Sequence, residues 1–109
     1  MGDALTAVES LYFTFQDNLN DALAACPDQA SRDAVMTKYV AARQNYWQCI
    51  NKGFHDDDPV VRDLVVQAKA ACEDLKTIDA HLGDIAKVID IVTKAVTIGS
   101  QIAAKVITL

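Results

Sequence analysis

Proline and glycine are scarce: two prolines, Pro27 and Pro59, and four glycines in 109 residues. So few breakers argue against many short elements and favour a few long ones. Catalytic signatures are missing as well. The chain has no Cys-x-x-Cys, His-Glu-x-x-His, Gly-x-Gly-x-x-Gly or phosphate-loop pattern. Ser10, Ser31 and Ser100 sit in no nucleophile context. No Glu-x-x-His pair occurs, which excludes the usual di-iron bundle constellation. An enzyme is therefore not expected, and no residue is assigned a catalytic, cofactor-binding or metal-binding role.

Basic clusters are lacking too. Ten Lys and Arg residues stand against fifteen Asp and Glu, a formal charge of −5. The cations are scattered, so no stripe exists to neutralise phosphates, and nucleic-acid binding is not expected. No positively charged start followed by an apolar run marks a signal peptide. The loose myristoylation pattern Met1-Gly2-x-x-x-Thr6 is present, but Asp3 follows it and no basic patch supplies a second anchor. Three cysteines, Cys26, Cys49 and Cys72, cannot all pair within one chain, and each falls on or beside an apolar stripe. They read as buried, reduced thiols of a cytoplasmic protein.

What remains is a globular composition, 51% hydrophobic, of a size for a single helical domain over residues 1–109. Apolar residues recur at helical spacing. A first helix is expected from Ala4 to Ala25, with Asp3 as N-cap and Leu5, Val8, Tyr12, Phe15, Leu19, Ala22 and Cys26 as its seam. Pro27 ends it. A second runs from Arg32 to Lys52, capped by Ser31 or Asp28, with Gly53 suited to the left-handed position beyond it. Its seam is Val35, Tyr39, Ala42, Tyr46 and Cys49. A further seam of Met36, Val40, Trp47 and Phe54 implies two neighbouring helices.

The third helix opens at Asp58-Pro59, N-cap and first helical residue. His55, Asp56, Asp57 and Asp58 read as a solvated turn with Asp58 capping, since the loop lacks the glycine and terminal Glu of a calcium loop. Gly83-Asp84 is read as closing this helix and opening a fourth. The hydrophobic phase runs on unbroken through Leu75, Ile78, Leu82, Ile85 and Ile89, so one long helix is the alternative. The expected fold is all-α, an up-and-down bundle of three or four helices.

The last segment, Asp84 to Leu109, carries the functional question. Ile85, Val88, Ile89, Val92, Val96, Gly99, Ile102, Ala103 and Val106 keep helical spacing, and Ile91, Ile98 and Ile107 fill much of the opposite face. So wide an apolar arc needs cover from the chain, a partner or lipid. Ala95, Gly99 and Ala103 form a row of small residues that permits close helix packing. Ala95 to Ala104 is the longest uncharged run, far short of the ~20 residues a spanning helix needs. The expectation is a non-enzymatic protein–protein interaction module: an adaptor, an inhibitor or immunity-type binder, or a small assembly subunit. It would bind a partner or a second copy of itself through Phe13, Ile91, Ile98 and Ile107. The alternative is a membrane-active helical component whose C-terminal segment inserts on oligomerisation.

Overall fold

The computed structural model describes residues 2–107, and the described chain is all-α. Its elements are α1 (Asp3–Asp17), α2 (Leu19–Ala24), α3 (Gln29–Cys49), α4 (Pro59–Leu75), a 3-10 turn (Ile78–His81) and α5 (Ile85–Ala103). The first expected helix is split. Asn18 leaves helical geometry, and its side-chain amide donates to the Thr14 carbonyl at 2.8 Å. The same carbonyl also accepts the Asn18 backbone N–H at 3.2 Å, so backbone and side chain of Asn18 together close the end of α1.

Helix starts are set by carboxylates. Asp28 caps α3, accepting from the Ser31 backbone N–H at 2.8 Å and from the Ser31 hydroxyl at 2.6 Å. Asp58 caps α4 through the Val60 N–H at 2.7 Å, with Pro59 in the first turn. Asp84 caps α5 through the Lys87 N–H at 3.1 Å. Helix α1 differs from expectation: Asp3 lies inside the first turn and Gly2 is the N-cap residue. The cap is supplied from far along the chain, by Asp56, which accepts from the Ala4 N–H at 3.0 Å. A Cβ at Gly2 would collide with that same carboxylate, so glycine is required for Asp56 to approach.

The third and fourth helices are separate, and the break comes earlier than Gly83. Helix α4 stops at Leu75, the Thr77 hydroxyl donates to the Asp74 carbonyl at 2.7 Å, and Ile78 plugs the turn, fully buried. Leu82, expected on the core stripe, is exposed. Left-handed backbone after α3 falls on Asn51, with φ of 62°, and not on Gly53. Gly53 instead exchanges two backbone hydrogen bonds with Ile107, at 2.9 and 3.1 Å, and forms a one-residue antiparallel bridge.

Helix α5 packs on α3, α4 and α1, while α1 packs on α3 and α4. The arrangement is 44 × 20 × 18 Å, two helices thick in each short direction. Covered on three sides, α5 buries Val88, Ile91, Val92, Ala95, Ile98, Gly99, Ile102 and Ala103. Its centre is thus rotated from the expected seam, and Ile89 and Val96 fall at the half-buried margin. Close approach to α3 depends on Gly99. The Asn45 amide donates to the Val96 carbonyl at 3.3 Å, and a Cβ at Gly99 would lie 3.2 Å from the Asn45 nitrogen.

Two outcomes follow. Replacing Ile98 by Ala opens a cavity on the buried face of α5 and costs about 2–5 kcal/mol, read as a lowered urea midpoint. Asp56→Ala removes the carboxylate that caps α1 and costs about 0.5–2 kcal/mol. Amide exchange at the α1 first turn quickens in that variant before global unfolding, whereas Asp56→Asn, still an acceptor, retains most of the protection.

Candidate functional site

The residues expected to meet a partner divide into two groups. Ile91 and Ile98 are 5% and 3% exposed. Their expected role on an open face is corrected by the fold: α3, α4 and α1 leave no such face on that side of α5. Ile107 is half-buried and held by its bridge to Gly53. Ala95, Gly99 and Ala103 are buried within the chain, with Asn45 and Leu11 beside Gly99. Phe13 alone of the four expected contacts is an open apolar side chain, 42% exposed.

Phe13 marks the edge of an aromatic seam between α1 and α3. Tyr12 stacks between Tyr39 and Tyr46, with ring centroids 5.7 and 5.5 Å away. Phe13 lies 5.1 Å from Tyr12 and meets Tyr46 edge-on at 5.5 Å. The hydroxyls are tied at the surface: Tyr12 and Tyr39 share a hydrogen bond at 3.3 Å, Gln16 donates to Tyr39 at 3.1 Å, and Tyr46 donates to Glu9 at 3.3 Å. The bond to Tyr39 and burial push the Tyr12 phenol up. Desolvation and the neighbouring Glu9 carboxylate do the same for Tyr46.

Beside that seam lies a surface that sequence periodicity assigned to the interior. Met36, Val40, Arg43, Trp47 and Ile50 follow one another at spacings of 4, 3, 4 and 3. This is a coiled-coil stripe, and no helix among the described residues covers it. Trp47 is 59% exposed, with Met36 and Ile50 also open to solvent and Val40 half-buried. The second seam on α3 therefore does not mark a second internal neighbour. Helix α3 does touch both α1 and α5, but through Val35, Tyr39, Ala42, Asn45, Tyr46 and Cys49. Arg43 escapes apolar periodicity, because it interrupts the stripe with a charge. Its guanidinium lies over the Trp47 ring, 5.0 Å from the centroid.

Elsewhere the surface offers less. A cavity of about 350 Å³ between α1 and α4 has Ala7, Val65, Ala68 and Cys72 as its floor and Asp3, Lys69, Glu73 and Lys76 at its rim. Its charges are mixed and face solvent. Among the described residues no three His, Cys, Asp or Glu side chains are placed to hold a metal ion. In the acidic loop, two of the three carboxylates are occupied as the caps of α1 and α4.

The three thiols are free. Cys49 has no exposed surface, and desolvation pushes its pKa up to about 11. Burial also raises Cys26, whose thiol donates to the Ala22 carbonyl at 3.3 Å, and Cys72. None is an activated thiolate. Comparison with protein-family models, curated proteins and solved structures gives no match.

The raised groups set an alkaline limit. Cys49, Tyr12 and Tyr46 hold their protons more tightly folded than unfolded. Their contribution to stability is therefore level below the ordinary thiol value of 9.0 and is lost as pH rises toward about 11. Urea midpoints measured from pH 7 to 11 should show that loss. Thiol labelling of the native protein at pH 8 should modify Cys26 first and Cys49 only on unfolding.

Proposed function

We propose that this chain is a non-enzymatic protein-binding module built as an up-and-down helical bundle, and that it docks through α3. The binding face is the stripe from Met36 to Ile50, extended across the α1 edge by Phe13. One observation carries the reading: the single tryptophan, Trp47, stands out from a stripe with coiled-coil spacing that no internal helix occupies. Isolated exposed apolar residues such as Val60, Val66 and Leu82 need no explanation. An ordered row with an aromatic and an arginine at its centre has the composition of an interface anchor.

This moves the partner contact from α5, where the width of the apolar arc suggested it, to α3. Self-association through α5 loses its motive, because the chain covers that arc itself. Insertion into lipid loses the same motive, and no helix among the described residues is long and apolar enough to cross a membrane. Three free, unactivated cysteines suit residence in a reducing compartment such as the cytoplasm.

The test is site-specific crosslinking in cells that express the protein. A photoreactive side chain in place of Trp47 or Val40 should yield a discrete adduct, and one at Val66, on the outside of α4, should not. Trp47→Ala should cost folding stability no more than about 1 kcal/mol, the worth of the lost guanidinium–indole contact at an exposed site, while abolishing the adduct formed from position 40. Equal adducts from positions 47 and 66, or none from either, would sink the reading.

A further inference from the structure

The stripe on α3 has a charge at its centre, and that charge constrains what can cover it. Arg43 sits between Val40 and Trp47, its guanidinium stacked on the indole. Its Nε is shielded from solvent and has no hydrogen-bond partner, and no carboxylate pairs with it: the ion pair among the described residues joins Lys76 to Glu73. An apolar helix laid over this stripe would strip water from the guanidinium and return nothing, a costly burial. A helix bringing a carboxylate to this point would supply acceptors in the geometry an arginine matches best.

A second copy of the chain meets this demand poorly. Within α3 the acidic side chain is Asp33, ten residues before Arg43. An antiparallel α3 pair that brings Asp33 of one copy to Arg43 of the other sets Trp47 opposite Gln29, beyond the stripe. A register that covers Trp47 with Met36, Val40 or Ile50 leaves both arginines without a carboxylate. Through an antiparallel α3 pair, a copy can thus cover the tryptophan or pair the arginine, not both.

We propose that the occupant is an amphipathic helix of a different polypeptide, apolar along its seam but with one Glu or Asp at the centre, seated against Arg43 while its apolar residues cover Trp47 and Met36. This rests on the reading of α3 as the docking face and adds the partner's chemistry. Arg43 then acts as the selector, favouring acidic seams and rejecting basic ones, and Trp47 as the anchor.

Synthetic three-heptad helices with leucine at every seam position but the central one, and Glu, Gln or Lys there, are the probes. Trp47 is the only tryptophan, so its emission reports occupancy directly. The Glu peptide should shift it to the blue and bind at least about tenfold more tightly than the Lys peptide. Arg43→Gln should bring the three peptides to similar affinity, and Arg43→Glu should reverse the order, in variants whose circular dichroism matches the wild type. In sedimentation the chain alone should be a monomer.

Equal binding of the Glu and Lys peptides, or no shift with any peptide at about millimolar concentration, would overturn the acidic-helix assignment. So would a wild-type dimer that Trp47→Ala dissociates, since the occupant would then be a second copy. In each case crosslinking from Trp47 and Val40 still decides separately whether α3 is a docking face.

Discussion

The need to keep the arc of α5 dry organises this molecule. Eight of its residues, from Val88 to Ala103, are buried, and no single neighbour is wide enough to cover them. Helices α3 and α4 take the two sides, and α1 closes the middle through Leu11 near Gly99. Small residues make this possible, because Gly99 and Ala95 let Asn45 and Ala42 come close enough to leave a void of only about 10 Å³. The ends are then tied by polar contacts specific to this arrangement. Asp56 reaches from the α3–α4 connection to cap α1, and Gly53 in that connection bridges to Ile107 beyond α5.

That requirement also decides what α3 has left over. One side of α3 meets α5 through Asn45 and Cys49, and the adjacent side meets α1 through Tyr39 and Tyr46. Roughly a third of its circumference is then spent, and the stripe at Met36, Val40 and Trp47 turns away from both neighbours, close to the α1 edge where Phe13 lies. The aromatic seam fixes this rotation. Tyr12 sits between Tyr39 and Tyr46, one ring on each side, so α3 cannot turn to bury Trp47 without unstacking three rings. The exposure of Trp47 is a consequence of how α1 and α5 are covered.

The parts legible in the sequence were those governed by neighbours along the chain. Asp58-Pro59 opens α4 as its spacing implied, and Val8, Tyr12 and Phe15 of the α1 seam are buried as read, with Leu5 half-buried at its start. Less was legible where competing patterns were both apolar. In α5 two rows at 3-4 spacing are rich in Ile and Val, so periodicity alone cannot rank Ile91 and Ile98 against Ile89 and Val96; the three-sided environment does. The break after Leu75 hid for a related reason. Hydrophobic phase ran on through Ile78 and Ile85 although the backbone reverses, because Ile78 is buried in the turn itself. The Asp56 cap joins residues 52 positions apart and leaves no local trace. The candidate surface was misassigned by the same logic, since an apolar stripe records that cover is needed but not whether the chain supplies it.

An exposed tryptophan on a helix is a hazard for solubility unless something screens it, and here Arg43 does. A guanidinium over an indole is worth about 0.5–1 kcal/mol at an exposed site and spreads charge across the most apolar part of the stripe. The same residue thereby does two jobs. In the free chain it keeps Trp47 from nucleating indiscriminate contacts, since any apolar surface that buries the ring must also desolvate the charge above it. In a complex that cost vanishes only for a surface carrying an acceptor at the right place. Val66 on α4, though exposed to a similar degree, has Arg62, Asp63, Lys69 and Ala70 about it and no aromatic neighbour, so burying it would gain little and select nothing. The difference between the two faces is a charge positioned on an aromatic ring, and on the proposed reading of α3 that charge is what would let the stripe discriminate.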